Sequence, residues 1–252
     1  MTKINQALID WTPGSIHGHD WFESKGLSTR LTYFYYEQGI LEKIGPGVYS
    51  KKNDPVTWQG LINFLQQELG LSVHISGKTA LELQGSSHYA TMGRPIINLV
   101  SYEIKELPSW IYKVSQDFKI NFRKSSLLSK EEYLHTQDKQ KISVRLSHRE
   151  LAILELIDEL DLKNGFETVE NYMNSLNTLR SSVLQEILES CKSIKVKRVF
   201  LYMSERLELP YFKQLNQSKI NIGSGKRVIV LGGRFDKKYN ITVDPEEEEN
   251  PF

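Results

Sequence analysis

The chain has 252 residues, of which 39% are hydrophobic and 25% are charged, and its formal net charge is +1. This composition is that of a folded globular protein and argues against a disordered, collagen-like or membrane-embedded chain. The single cysteine, Cys191, excludes an intrachain disulfide, and no apolar stretch approaches the roughly 20 residues of a membrane-spanning helix. We therefore expect a cytoplasmic protein that does not associate with a membrane.

The charges are distributed unevenly along the chain. Residues 161–240 contain fourteen Lys and Arg against eight Asp and Glu, whereas residues 1–53 contain six against five. The end of the chain, DPEEEENPF at residues 244–252, contains five acids and no base, and we expect it to be a solvated, disordered tail. Charge alone therefore places a site for a polyanion nearer the C-terminus than the N-terminus.

Residues 1–53 predict, in order, a helix, a second short helix, a third helix and a β-hairpin. Ser15 is the predicted N-cap of the second helix, and Ser28 is the predicted N-cap of the third, which ends at Gly39. The stretch ILEKIGPGVYS has the alternation and the glycine turn of a hairpin. This order of elements is typical of a winged helix-turn-helix domain, and we predict one for residues 1–53.

The third helix carries a run of aromatic residues. On a helical wheel with Leu31 at the centre of the buried face, Phe34 and Tyr35 are predicted to be buried, and Tyr33 and Tyr36 to point outward. A recognition helix presents its N-terminal half to base edges in the major groove, so we predict DNA contacts here and in the hairpin. The predicted DNA-binding residues are Ser28, Thr29, Arg30, Tyr33, Tyr36 and Lys43. The alternative is a winged helix that contacts only protein.

Residues 54–160 predict an α+β domain. Asp54 is the predicted cap of a new amphipathic helix that stops at Gly70. Four strands are predicted further along, at residues 96–100, 110–114, 120–123 and 142–146. Ser147 and Glu150 have the spacing of a capping box for a helix that extends through Leu160.

Residues 161–243 predict a mainly helical C-terminal part that ends in a pair of strands. Its basic residues are predicted to form one surface for an acidic partner or for DNA backbone, or else simply a solvated helix face. The residues of this predicted surface are Lys195, Lys197, Arg198, Lys226 and Arg227.

Several other motifs do not have the spacing that their chemistry needs. The stretch IHGHD places His17 and His19 two residues apart, whereas metal ligands on one helix stand at i and i+4. The stretch NIGSGKR has Arg227 where a phosphate-binding loop needs Ser or Thr. We find no arrangement typical of catalysis, and we expect neither an enzyme nor a cofactor, a metal ion or a small-molecule substrate.

Four stretches together resemble the AbiEi antitoxin family of type IV toxin–antitoxin systems, which are bacterial abortive-infection loci acting in phage defence. The stretches are GLSTRLTYFYYEQGILEKIGPGVYSKKNDP, HISGKTALELQGSSHY, VKRVFLYMSERLELPYFKQL and INIGSGKRVIVLGGRFDKKYNITV. The resemblance covers residues 3 to about 243 of the chain. It implies a winged helix that represses its own operon by binding promoter DNA. It also implies antitoxin activity, in the remainder of the chain, against a nucleotidyltransferase-like toxin, with no stable complex required.

On this resemblance the recognition-helix role falls to Ser28, Thr29, Arg30 and Tyr33, and the wing role to Lys43. The recurring basic motifs of the C-terminal part fall on Lys197, Arg198, Lys226 and Arg227. Two classes of function remain open. The first is an antitoxin that is also a transcriptional repressor. The second is an interaction protein whose winged helix binds a protein or RNA without regulating a promoter.

Overall fold

The computed structural model describes residues 3–86, 93–114, 116–159 and 162–243, and for residues 162–165 it describes the backbone alone. The architecture is mixed α+β, as the sequence predicts. Within these residues, no helix is long and apolar enough to cross a membrane. The acidic tail at 244–252 and the predicted helix end at Leu160 lie outside the described residues.

The chain divides into two compact units, which we describe separately. The first consists of Met1–Ile75, Thr91–Lys124 and Leu134–Leu146, and the second of Ser76–Ala90, Ser125–Tyr133 and Ser147–Phe252. The predicted domain limits after residues 53, 160 and 243 stay predictions.

The first unit begins with helices followed by an antiparallel hairpin. In chain order these elements are α1 (Lys3–Asp10), α2 (His19–Ser24), α3 (Thr29–Glu37), β1 (Leu41–Gly45) and β2 (Val48–Lys51). Their buried apolar side chains form one cluster, which contains Ile4, Ala7, Trp11, Phe22, Leu27, Leu41 and Tyr49. The predicted cap at Ser15 is wrong: the N-cap of α2 is Gly18, and the Ser15 hydroxyl donates to the Thr12 carbonyl at 2.7 Å.

The hairpin is followed by α4 (Trp58–Asn63), which continues as one π-helical turn over Phe64–Glu68. The predicted cap at Asp54 is wrong, because the Thr57 hydroxyl caps α4 by accepting from the Gly60 N–H at 3.1 Å. Both carboxylate oxygens of Asp54 instead accept from the Gly14 N–H at 3.0 Å.

A mixed sheet completes the first unit. In the described residues its strands are β3 (His74–Ile75), β4 (Ile96–Ser101), β5 (Lys119–Lys124), β6 (Leu134–Lys139) and β7 (Ile142–Ser147), in the order β5-β4-β3-β7-β6. The pairing of β3 with β4 is antiparallel, whereas β3 with β7 and β4 with β5 are parallel. The predicted strand at 110–114 is wrong: Ser109–Lys113 form a 3-10 helix that buries Ile111. The polar sequence LHTQDK of β6 gave no strand signal.

The second unit is mainly helical. Its elements are α5 (Gly77–Leu83), α6 (Arg149–Glu159), α7 (Leu162–Asn174), α8 (Ser181–Ser190), α9 (Ile194–Arg206), and the antiparallel strands β8 (Arg234–Asp236) and β9 (Ile241–Val243). The predicted capping box is wrong. The Ser147 hydroxyl donates to buried Glu155 at 2.6 Å, and Glu150 accepts hydrogen bonds from Arg180. Because α6 begins at Arg149, Ser147 lies two residues before the helix and Glu150 is its second residue, which is not the register that a capping box requires.

Candidate nucleic-acid interface

The start of α3 forms as its sequence predicts. The Ser28 hydroxyl accepts from the Leu31 N–H at 3.4 Å, which confirms Ser28 as the N-cap. The helix ends before Gly39, whose φ of +67° is in the left-handed region that glycine tolerates. Ser28, Thr29 and Arg30 are all exposed.

The exposed face of α3 differs from the predicted one. Tyr33 is 53% exposed and Phe34 is 51% exposed, whereas Thr32 is buried. The prediction that Phe34 is buried is therefore wrong, and Tyr36, predicted to point outward, is half-buried, with its ring centre 6.1 Å from that of Tyr49.

The physical reason is the direction of burial. The side chains of α3 that pack against the core are Leu31, Tyr35 and Tyr36, with Thr32 buried between them. At about 100° per residue these centre the buried face between Thr32 and Tyr35 rather than on Leu31. With the buried face centred there, Phe34 points outward. The sequence pattern does not reveal this, because Thr32 is polar and yet buried.

Two of the predicted contact residues have partners within the chain. The Thr29 hydroxyl is hydrogen-bonded to the His19 ring, which also lies 3.2 Å from the Glu23 carboxylate. A hydrogen bond to the Glu37 carboxylate raises the pKa of the Tyr33 phenol above its ordinary value, and the charge of that carboxylate adds to the effect. Residues three and four apart lie on one helix face, so Arg30, Tyr33, Phe34 and Glu37 share the exposed face of α3.

The hairpin lies in the same compact unit and presents Lys43. Lys43 is exposed on β1, opposite Tyr49 of β2, and the turn between the strands is at Pro46 and Gly47. The base of this turn is tightly packed, since a Cβ added at Gly45 would lie 2.7 Å from the Trp110 ring. Only glycine fits this approach, and the contact fixes the hairpin against the 3-10 helix.

A second contact fixes α2, the helix that precedes α3. The Glu68 carboxylate lies 2.6 Å from the His17 Nδ1 and accepts from the Gly18 N–H at 2.8 Å. The His17 ring stacks on Trp21 with the ring centres 3.8 Å apart. In the described residues no group of three His, Cys, Asp or Glu side chains is placed to hold a metal ion. The histidines of IHGHD make structural contacts.

The predicted basic surface of the second unit is only partly a surface. Lys197 is 3% exposed and Arg198 is 1% exposed, which contradicts their predicted place on it. Helix α9 is buried on every side from Val196 to Ser204, so it has no solvated face at this point. Lys195 is half-buried and donates to the Asp158 carbonyl at 3.2 Å.

Arg198 instead binds three backbone carbonyls. Its guanidinium donates to Ile222 and Gly225 at 2.6 Å and to Asn240 at 3.1 Å. Burial lowers the pKa of Arg198 below its ordinary value, and the nearby charge of Arg227 lowers it further. The buried cation thus ties the loop that follows Ile220 to the turn before β9.

That loop carries the two predicted basic residues that the structure leaves exposed, Lys226 and Arg227. The backbone of Arg227 is paired with Asn240 and Thr242, and the Lys226 ammonium lies 4.9 Å from the centre of the Phe235 ring. The backbone is therefore held on both sides of Lys226, because Gly225 accepts from Arg198 and Arg227 pairs with Asn240 and Thr242.

Two family models together match almost the whole chain. One, described as "Transcriptional regulator, AbiEi antitoxin N-terminal domain", matches residues 1–92. The other, described as "Transcriptional regulator, AbiEi antitoxin, Type IV TA system", matches residues 94–244. Both describe regulatory antitoxins rather than enzymes. The chain belongs to the AbiEi antitoxin family, which confirms the resemblance seen in its sequence.

One solved structure with the same fold is described as "Crystal structure of RV2827C protein from Mycobacterium tuberculosis". It is 10% identical in sequence, and the match covers 92% of this chain and 87% of that chain with a TM-score of 0.59. At this identity the match concerns the fold alone. The comparison with curated proteins found no match.

Proposed function

We propose that residues 3–51 form a winged helix-turn-helix that binds the promoter of the chain's own operon and represses it. The supporting observation is the exposed face of α3 beside a fixed hairpin, with Arg30 on the helix and Lys43 on β1. An arginine can bind guanine in the major groove through two hydrogen bonds, and a lysine in the wing can reach a phosphate. The repressor would act in the cytoplasm, where the promoter DNA is located.

We further propose that the remainder of the chain supplies the antitoxin activity of a type IV system against a nucleotidyltransferase-like toxin, without a stable complex. Membership of the AbiEi family supports the antitoxin class. Expression of the toxin with and without this chain, followed by growth and co-purification, tests it. Growth rescue without co-purification is expected, and failure to rescue overturns this part.

The DNA-binding part is tested by titration of labelled duplexes at several salt concentrations. We expect the DNA upstream of the operon to bind more tightly than a random duplex of equal length. Non-specific binding is electrostatic and insensitive to sequence, so equal affinity for the two duplexes would overturn promoter recognition.

A second candidate is an interaction protein whose α3 binds protein or RNA. It is favoured by the two exposed aromatic rings of Tyr33 and Phe34 and by the acidic Glu37 on the same face. The same titration separates the candidates, since this one predicts no preference for promoter DNA.

A further inference from the structure

Phe34 is an exposed aromatic residue on the face that we assign to DNA. It lies one helical turn after Arg30 on α3, and 51% of its surface is exposed. Its ring packs edge-on against Tyr35 with the ring centres 5.6 Å apart, so it has a preferred position although it is outside the core. A phenyl ring has no hydrogen-bond donor and gains nothing from a phosphate.

The bases offer this ring one suitable group in the major groove. Guanine, cytosine and adenine present donors and acceptors there, whereas thymine also presents the apolar C5-methyl group. We propose that Phe34 contacts the methyl group of a thymine in the operator, and so is a second determinant of sequence beside Arg30. This inference rests on the proposed DNA-binding function and deepens it.

The spacing on the helix sets where that thymine should be. Residues 30 and 34 are separated by about 6 Å along the helix axis, because each residue rises about 1.5 Å. Successive bases on one strand are about 3.4 Å apart. If Arg30 pairs with a guanine, the thymine therefore lies about two base pairs from it, within the same groove.

The neighbouring side chains favour Phe34 over Tyr33 for this contact. Tyr33 and Glu37 are four residues apart on α3, so the Glu37 carboxylate lies on the same exposed face one turn after Tyr33. That carboxylate repels phosphates, and the polar hydroxyl of Tyr33 does not match an apolar group on a base. On this face, Arg30 and Phe34 are the pair whose chemistry complements a guanine and a thymine.

The experiment uses the full chain and a promoter duplex whose protected region has first been mapped by footprinting. Each protected guanine is first replaced by 7-deazaguanine, which lacks the N7 acceptor that an arginine can bind. The guanine whose replacement weakens binding of the wild type but not of Arg30→Ala is the one that pairs with Arg30. Each thymine within about three base pairs of it is then replaced by uracil, which removes only the methyl group and leaves base pairing intact. Affinities are measured for the wild type, Phe34→Ala and Ile9→Ala. Ile9 is the matched control, because it is a large exposed apolar residue on α1 rather than α3.

For the wild type and Ile9→Ala we expect one thymine-to-uracil change to weaken binding about fourfold, the factor that corresponds to one buried methyl group. For Phe34→Ala the same change should have no effect, while 7-deazaguanine should still weaken binding. Circular dichroism checks that all three proteins are folded.

Three results would overturn the inference. In the first, no thymine-to-uracil change affects the wild type although promoter DNA is still preferred, which leaves the proposed function intact. In the second, Phe34→Ala keeps the full penalty for the missing methyl group. In the third, the wild type does not prefer promoter DNA, and then the proposed function fails together with this inference.

Discussion

The Glu68 carboxylate and the His17 imidazole are 2.6 Å apart, although 51 residues separate them in sequence. The same carboxylate accepts from the N–H of Gly18, which is the N-cap of α2. One acidic side chain therefore holds the start of α2 against the π-helical turn after α4. Its removal tests whether the helices before the hairpin depend on the rest of the first unit.

We expect Glu68→Ala to lower the free energy of unfolding by about 1–3 kcal/mol, because it leaves a part-buried N–H and an imidazole without their acceptor. Chemical denaturation measures this. Gln67→Ala is the matched control, since Gln67 is exposed on the same π-helical turn, and it should change stability little. Equal losses in the two variants would contradict a specific role for Glu68.

The contact between Gly45 and Trp110 gives a second prediction. A Cβ at residue 45 would lie 2.7–3.0 Å from three indole atoms, so Gly45→Ala should destabilise the protein by about 1–3 kcal/mol. In a Trp110→Leu background the same change should cost less, because the smaller side chain makes room. A double-mutant cycle by thermal denaturation measures the difference, and identical costs in both backgrounds would argue against the clash.

Features that depend on neighbouring residues were predicted correctly from the sequence. Features that depend on contacts with residues far away in the sequence were not. The Ser28 cap and the hairpin follow from residues within a few positions of each other. The exposure of Phe34 and the burial of Arg198 do not follow from nearby residues. Phe34 is exposed because the opposite side of α3 packs against the core. The guanidinium of Arg198 is buried by carbonyls 24 to 42 residues away. Amphipathic periodicity alone treats such a residue as solvated.

Arg198 and Arg206 lie on the same helix and should behave very differently. Arg198→Ala leaves three carbonyls without a charged donor, so we expect it to lower the free energy of unfolding by about 3 kcal/mol. Arg206 is exposed and pairs with Glu170 at 3.0 Å, and removal of such a surface pair costs about 0–1 kcal/mol. Urea denaturation of the two variants compares them. A cost for Arg206→Ala equal to that for Arg198→Ala would contradict the buried role.

The ion pair of Glu150 with Arg180 gives a prediction about the stability of the protein at acid pH. Burial alone would raise the pKa of this carboxyl, but the hydrogen bonds and charge of Arg180 outweigh it and hold the pKa below its ordinary value of 4.5. Because the folded-state pKa is the lower one, the stabilisation is present above the unfolded-state pKa and is lost as the pH falls through the folded-state value.

Stability measured from about pH 5 to pH 3 should therefore fall less steeply in Glu150→Gln than in the wild type. Glu189→Gln is the control, since Glu189 is exposed on α8 and this variant should keep the wild-type slope. If all three proteins show one slope, the ion pair with Arg180 does not contribute to acid sensitivity.

The last prediction separates specific from electrostatic DNA binding. Arg30→Ala should weaken promoter binding by about 1–3 kcal/mol and leave random DNA nearly unchanged, if Arg30 pairs with a guanine.

Lys226 and Arg227 are exposed, and their backbone is fixed by Arg198 and β9. If they bind phosphates, changing both to Ala should weaken promoter and random DNA alike. It should also reduce the salt dependence of log K by about 0.9 for each phosphate that the variant no longer neutralises. Titrations at several salt concentrations measure both quantities. If the double variant keeps wild-type DNA affinity and salt slope but no longer rescues cells from the toxin, these cations belong to the antitoxin activity. If it keeps DNA binding and rescue alike, they have no binding role.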